Sequence, residues 1–179
     1  MLRTSCLELG ACTLELARAE AAGPQSLAAA LNVTVPPHWP PPLNDEHSQR
    51  WVREQLEREP GIAGWTMWYF ILPTPGARQL VGNGGFKGAP KDGMVEVGYS
   101  ILPEFQRNGY ATEATRGLIE WAFSQPEVDR VAAETLPKLE PSLAVMRKCS
   151  MKYAGKGAPE EGIETVRYHI LRGHWKDNP

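Results

Sequence analysis

The sequence has little cysteine and no pattern typical of a metal site. Its three cysteines, Cys6, Cys12 and Cys149, are an odd number without a C-x-x-C pair. The chain therefore indicates neither a disulfide framework nor a zinc knuckle. The four histidines show no metal-ligand spacing either. We expect no bound metal, and a reducing cytoplasm is the simplest location for such a chain.

Long apolar runs and a large excess of one charge are also absent. No segment approaches the length that spans a bilayer, and the N-terminus, with Arg3 and Glu8, does not resemble a signal peptide. The formal net charge is -2, and no run of lysine or arginine suggests a stripe that binds nucleic acid. We therefore expect one domain over 1–179, with neither a membrane nor a nucleic acid as partner.

Two common phosphate-binding motifs are missing as well, the G-x-G-x-x-G fingerprint and the Walker Gly-Lys-Ser/Thr. Residues 95–122 nevertheless have the pattern of a strand, a loop and a helix. Apolar residues alternate before Pro103, which cannot donate to a strand ladder, and recur at helical spacing after Gly109. The alternating residues are Val95, Val97, Tyr99 and Ile101, and those at helical spacing are Ala111, Ala114, Leu118 and Ala122.

The loop between this strand and this helix has the properties of an anion-binding site. Gly109 and Ala111 are small, so a ligand can approach the main chain closely. The amides of the first helical turn are unpaired and lie at the positive end of the helix dipole. Together these features favour a phosphate or pyrophosphate. The alternative is a tight strand-to-helix connection that binds nothing.

The loop sequence over 106–111, Gln-x-x-Gly-x-Ala, resembles the Gln/Arg-x-x-Gly-x-Gly/Ala loop of GNAT N-acetyltransferases, which holds the pyrophosphate of acetyl-coenzyme A. The similarity extends to the Glu-Val-Gly-Tyr-x-Ile-x-Pro-Glu stretch at 96–104 and to Ala-Thr-Glu-Ala at 111–114. A second pair of segments, 134–137 and 141–149, is similar to the second cofactor segment of the RimJ/RimL-like branch. The order and separation of these segments also fit that branch.

This resemblance implies an α/β (α+β) fold of the GNAT type, with a central mixed sheet that is splayed and flanked by helices. The splay would lie between the strand ending at Leu102 and the strand starting at Val131. The pantetheine arm of acetyl-coenzyme A would lie in it, beside the main chain of Ile101 and Leu102. Arg107 is either a phosphate partner or a solvated surface charge. The other positions that the resemblance assigns to the cofactor are Gln106, Asn108, Gly109, Tyr110, Ala111, Thr112, Leu139 and Ser142.

Two residues are candidates for acid–base chemistry. An amine must lose a proton before it attacks a thioester, and the resemblance implies Glu96 as the base, directly or through water. The alternative for Glu96 is a strand carboxylate in a structural ion pair. Ser142 resembles the residue proposed to donate to the departing thiolate, and its alternative is an ordinary helix cap. Leu139 and Met146 replace the Asn and Tyr of many relatives.

The resemblance implies an N-acetyltransferase in which a primary amine attacks acetyl-coenzyme A directly in a ternary complex. The acceptor would be a protein N-terminus or a small amine. Trp39, in a proline-rich segment, is a candidate wall of the acceptor site, and the alternative is that Trp39 is an ordinary core residue. The alternative to an N-acetyltransferase is a non-catalytic protein that binds or senses acyl-coenzyme A. Leu139 and Met146 are the residues that support this alternative. A homodimer is an open alternative to a monomer.

The remaining pattern predicts a helix within 17–31 that is broken at Gly23-Pro24, and further helices over 48–58 and 141–148. Trp65 to Leu72 is rich in residues that favour strands. The further strands are expected at 6–9, 13–16, 80–86, 131–136 and 166–171. Strands and helices are mixed along the chain rather than segregated, which favours one mixed central sheet.

Overall fold

A computed structural model describes residues 1–42, 44–157 and 162–176. The helices are α1 Leu14–Ala22, α2 Pro24–Leu31, α3 Glu46–Arg58, α4 Tyr110–Ser124, α5 Glu140–Lys148 and α6 Arg172–Lys176. The strands are β1 Leu2–Arg3, β2 Glu8–Ala11, β3 Met67–Thr74, β4 Ala77–Phe86, β5 Met94–Ile101, β6 Arg130–Thr135, β7 Lys152–Lys156 and β8 Val166–Leu171. Short 3₁₀ turns lie at Pro60–Ile62 and Pro103–Phe105.

The described strands form one mixed sheet in the order β1-β2-β3-β4-β5-β6-β8-β7. All neighbours are antiparallel except β5 and β6, which are parallel. These two pair only from Met94–Glu96 to Arg130–Ala132. Beyond those residues β5 pairs with β4 alone and β6 with β8 alone, so the sheet opens. The predicted mixed, splayed sheet is confirmed, with the splay at the predicted place.

Each face of the sheet buries a separate apolar core. On one face α4 packs against β5 and β6, and its Leu118 and Ile119 are fully enclosed. Burial of each such side chain contributes roughly 1.5–3 kcal/mol. On the other face α1, α2 and α3 cover β3 and β4, with Leu27, Leu56 and Ile71 buried between them. One face of β5 therefore packs against α4, and its other face lies on the side of α1, α2 and α3.

One sequence-based expectation is wrong, because 13–16 is not a strand. Thr13 is the N-cap of α1, and its hydroxyl accepts a hydrogen bond from the amide of Leu16 at 3.3 Å. A side chain that satisfies a free amide at the start of a helix stabilises the helix over the extended form. The predicted break at Gly23-Pro24 is confirmed, since α1 ends at Ala22 and α2 begins at Pro24.

Glu113, in the first turn of α4, fastens the N-terminal segment to the helix. Its Oε1 accepts hydrogen bonds from the Thr4 hydroxyl at 2.5 Å and from the amides of Cys6 at 2.6 Å and Leu7 at 3.1 Å. Burial raises the pKa of this carboxyl, but the hydrogen bonds outweigh it and hold the pKa below its usual value. The charged form of Glu113 therefore stabilises the fold.

We expect Glu113→Gln to lower the free energy of unfolding by about 1–3 kcal/mol at neutral pH, because amide donors then face a weaker acceptor. A carboxyl with a lowered pKa stabilises the fold fully above its unfolded pKa, near 4.5, and loses that effect as pH falls through the folded value. The difference between wild type and variant should therefore shrink with acidity. Urea unfolding at pH 7 and at acid pH measures it, and a difference that ignores pH would contradict the assignment.

Candidate active site

The open part of β5 directs main-chain groups into the splay. The Leu102 amide donates to Val81 of β4 at 2.9 Å, and the Glu96 carbonyl accepts from the Lys87 amide at 3.0 Å. Even-numbered residues of β5 therefore bond to β4. Successive residues of a strand point their amide and carbonyl groups to opposite edges. The main-chain groups of the odd-numbered residues, Val97, Tyr99 and Ile101, accordingly face the splay.

This geometry distinguishes two positions that were predicted to contact the cofactor arm through their main chain. Ile101 directs its main chain toward the splay, but its carbonyl accepts a hydrogen bond from the Gln106 side chain at 3.0 Å. The amide of Leu102 faces away from the splay and is paired with Val81. The Gln106 side chain thus closes the loop onto the end of β5.

The loop after β5 is folded by its own contacts. The Asn108 side chain donates to the carbonyls of Phe105 at 3.1 Å and Gln106 at 3.2 Å. Arg107 and Gly109 have positive φ angles, 65° and 85°. Gly109 is the N-cap of α4 and no side chain caps the helix. A β-carbon at Gly109 would meet no atom of residues 1–42, 44–157 or 162–176 within 4 Å, so these residues leave the space beside the helix end open.

The amides at the start of α4 are suited to hold an anion. They belong to the predicted cofactor positions Tyr110, Ala111 and Thr112, which are partly buried. Because no side chain caps α4, these amides are available to a ligand, and they lie at the positive end of the helix dipole. Arg107 is exposed beside them. The predicted loop and helix end therefore lie together at the C-terminal end of β5.

Glu96 lies on the face of β5 that looks toward α1, α2 and α3. Its neighbours Val95 and Val97 are buried on the opposite face, with α4. The Glu96 carboxylate forms an ion pair with Lys87 Nζ at 2.6 Å, and its side chain is 19% exposed. The ion pair that was the alternative reading of Glu96 is therefore present, and a role in proton transfer remains a prediction.

Among the described residues, the same face of β5 is open next to Glu96. A β-carbon at Gly98 would meet none of their atoms within 4 Å. On its other side the Ser100 hydroxyl donates to the carbonyl of Pro42, which fixes the proline-rich segment before α3 over β5. Along this face of β5, the Glu96 carboxylate is therefore followed by the open space at Gly98 and then by Ser100, where the proline-rich segment covers the strand.

Ser142 faces the opposite side of β5, from the first turn of α5. The N-cap of α5 is Leu139, which makes no side-chain cap, so Ser142 does not cap the helix. Its Oγ instead lies 3.2 Å from the hydroxyl of Tyr99, which also donates to the Ser142 carbonyl at 3.1 Å. Burial raises the pKa of Tyr99 to about 12. Tyr99 was not among the predicted site residues, and only its place in the alternating pattern of β5 pointed to its orientation.

The two substituted positions around α5 have different surroundings. Leu139 is 41% exposed at the start of the helix, whereas Met146 is 1% exposed in the core. Two residues after α5, Ser150 has a φ of 59°, and the next amide, that of Met151, donates to the Met146 carbonyl at 3.0 Å. A left-handed residue other than glycine costs roughly 1–2 kcal/mol. Ser150 thus adopts the left-handed conformation that glycine usually supplies at the end of a helix.

Trp39 is held between α1 and β3. Its indole nitrogen donates to Glu20 at 2.9 Å, and the Tyr69 hydroxyl donates to the second oxygen of the same carboxylate at 2.8 Å. The two rings lie 6.2 Å apart, and burial raises the pKa of Glu20. Sequence reasoning missed Glu20, because an acidic residue on a short helix is typical of a solvent-facing position. The indole of Trp39 therefore anchors the proline-rich segment, and contact with an acceptor is not shown.

In the part of the chain that the structure describes, no group of three or more His, Cys, Asp or Glu side chains could hold a metal ion. Likewise, within 1–42, 44–157 and 162–176 no helix has the length and apolar character to cross a membrane.

A sheet opened between two parallel strands, with a small-residue loop and an uncapped helix beside the opening, defines the GNAT class of folds. An acetyltransferase of the GNAT family from Bacillus anthracis aligns with a TM-score of 0.64 at 20% identity, over 96% of this chain and 98% of that one. RimL, a ribosomal L7/L12 alpha-N-protein acetyltransferase in complex with coenzyme A, aligns with a TM-score of 0.62 at 16% identity, over 94% and 95% of the two chains. At these identities the likeness concerns the fold alone.

Sequence comparison gives the family. The family described as Acetyltransferase (GNAT) domain matches residues 13–152. The chain belongs to this family, which confirms the resemblance seen in the sequence. The uncharacterized N-acetyltransferase YjdG of Bacillus subtilis is 36% identical over 84 residues, or 46% of this chain and 49% of that protein. The match to such curated relatives thus extends over about half of their length.

Proposed function

We propose that this protein transfers an acetyl group from acetyl-coenzyme A to a primary amine. The observation that supports this most directly is the position of the uncapped α4 N-terminus at the open end of β5. A pyrophosphate bound by the amides of 110–112 would leave the pantetheine arm beside the splay. There the carbonyl of Val97 and the main-chain groups of Tyr99 can pair with it as a neighbouring strand would.

The main chain would also contribute to catalysis. An amide of β5 that faces the splay can donate to the thioester carbonyl as negative charge develops on its oxygen. Fixing the two reactants together removes much of the entropic barrier of a bimolecular step. The amine nitrogen forms a bond to the carbonyl carbon, the carbon–sulfur bond breaks, and coenzyme A leaves as a thiolate. The proton of the amine leaves to Glu96 or to water.

The acceptor would approach from the face of Glu96. An ammonium group is a cation, so the Glu96 carboxylate can attract it in exchange for Lys87 Nζ and then accept its proton. The gap over Gly98 gives the amine a path to the splay, between Glu96 and the proline-rich segment. We propose a protein N-terminus or a small amine as acceptor, with Trp39 in the segment that walls the path. RimL acts by its name on a protein N-terminus, which supports the first of these.

Calorimetric titration with acetyl-coenzyme A, followed by a thiol-release assay over a panel of peptides and small amines, tests the proposal. We expect binding in the micromolar range and turnover with at least one class of amine. Exposed Leu139 and buried Met146 favour the second candidate, a non-catalytic acyl-coenzyme A-binding protein, because neither can donate a proton. Binding without turnover over the panel would support that candidate. A folded protein that does not bind would contradict both.

The gap over Gly98 yields a separate prediction. We expect Gly98→Val to lower kcat/KM for the amine by about 100-fold, since a misplaced reactant loses the advantage of proximity. Valine suits a strand, and its β-carbon would meet no atom of the described part of the chain within 4 Å, so the sheet should fold. Steady-state kinetics measure kcat and KM for the amine, and titration with acetyl-coenzyme A separately measures cofactor binding by the folded variant. Gly98→Ala is the matched control with an intermediate effect, and an unchanged KM and kcat in Gly98→Val would contradict this path.

A further inference from the structure

Tyr99 connects the two sides of the splay. Its main chain belongs to β5, and its side chain passes over the face occupied by α4 to reach α5. There its hydroxyl donates to the carbonyl of Ser142 at 3.1 Å and lies 3.2 Å from the Ser142 Oγ. Beyond the short paired stretch with β6, β5 pairs on this side with no other strand that the structure describes. The Tyr99 side chain therefore bridges a part of the sheet that strand pairing leaves open.

The contact between Tyr99 and Ser142 restricts both α5 and the hydroxyl group of Ser142. The single proton of the Tyr99 hydroxyl lies within reach of both the Ser142 carbonyl and the Ser142 Oγ, and when it points at them the proton of Ser142 stays available for another acceptor. A serine hydroxyl rotates freely unless a partner fixes it. With Tyr99 in place, the Ser142 oxygen has a defined distance from β5. The main chain of Tyr99 itself faces the splay, so the same residue joins β5, one wall of the opening, to α5, the helix that follows β6.

We propose that Tyr99 is a positioning residue that sets the width of the splay and holds the Ser142 hydroxyl where the sulfur of coenzyme A departs. This inference rests on the proposed function. Ser142 then acts as a hydrogen-bond donor to the developing thiolate. Full proton transfer from either hydroxyl is unfavourable, because a thiol is a much stronger acid than serine or a buried tyrosine. The thiolate leaves with its charge, and water protonates it later.

The test is Tyr99→Phe, which keeps the ring and removes the hydroxyl, with Tyr153→Phe as matched control on the exposed ring of β7. We expect kcat to fall about 10-fold while KM for acetyl-coenzyme A changes less than about threefold, as expected when an interaction of the transition state is lost. Ser142→Ala should reduce kcat similarly. The double variant should then be little worse than either single one, because the two hydroxyls act as a unit.

Hydrogen exchange of the substrate-free protein gives a second readout that needs no turnover. We expect the amides of 142–145 to exchange about 10-fold faster in Tyr99→Phe than in wild type, and to be unchanged in Tyr153→Phe. Faster exchange with an unchanged kcat would show a purely structural strut and overturn the inference. Additive effects of the two substitutions would overturn it as well. If the wild type turns over no amine, the proposed function fails, and unchanged exchange would then overturn the positioning role independently.

Discussion

Gly109→Asp is expected to abolish measurable binding of acetyl-coenzyme A. The carboxylate would extend into the open space beside the α4 N-terminus, where the amides of 110–112 would bind the pyrophosphate. It would both repel the phosphates and occupy their donors, as an N-cap aspartate does in an ordinary helix. We expect affinity to fall at least about 100-fold, which is roughly 2.7 kcal/mol. Calorimetric titration at moderate salt measures it.

Gly109→Asn is the matched control, because it differs from aspartate only in charge. Both side chains tolerate a positive φ better than other non-glycine residues, so the value of 85° strains the two variants alike. We expect Asn to weaken binding much less than Asp, and raised salt to narrow the difference. Equal losses in the two variants would show that shape, and not an anion, decides the binding. An unchanged affinity in Gly109→Asp would contradict the position of the pyrophosphate.

The elements that the sequence predicted best have a strong internal pattern. β5 and α4 follow directly from alternation before Pro103 and helical spacing after Gly109. The segment 13–16 also alternates, but over so few residues that the pattern does not distinguish a strand from a helix start. These residues begin a helix because the hydroxyl of Thr13 caps α1. Local capping chemistry outweighs a weak period.

Edge elements escaped prediction for a different reason. β7 has a mostly exposed surface and no apolar alternation, and it exists because β8 offers an unpaired edge. β1 comprises only two residues paired with β2. Main-chain pairing supplies the stability of such strands, and it is almost independent of side-chain identity. The sequence alone therefore contains little signal for them.

The candidate site was predictable where one segment forms it and unpredictable where distant segments meet. The loop and the uncapped helix end lie within residues that are continuous in sequence. The contact between Tyr99 and Ser142 joins residues 43 positions apart, and that between Ser100 and Pro42 joins residues 58 apart. Both depend on how far the sheet opens and on the path of the proline-rich segment. Neither quantity follows from a local pattern, so the acceptor path and the Tyr99 bridge required the structure.

Glu96→Gln is expected to lower kcat/KM for the amine by about 10²–10⁴-fold, the usual contribution of a general base. The amide keeps the shape of the side chain but accepts no proton, so the variant must wait for an amine that is already neutral. Its rate should therefore continue to rise with pH until the amine itself is deprotonated, near pH 8 for an α-amine. The wild-type rate should level off earlier. Binding of acetyl-coenzyme A should change less than about threefold, since its pyrophosphate would bind beyond the other end of β5 and the Glu96 side chain points to the acceptor face.

Lys87→Met separates this role from the ion pair that Glu96 forms. If the 2.6 Å contact is the only purpose of Glu96, both substitutions should destabilise the protein alike, with small and similar effects on turnover. An exposed ion pair contributes about 0.2–1 kcal/mol, so either loss in stability should be modest. We expect instead that Lys87→Met retains turnover while Glu96→Gln loses it. Removal of the lysine leaves the carboxylate free to attract the ammonium of the acceptor, so KM for the amine should fall. Equal kinetics in the two variants would assign Glu96 to structure and leave water as the base.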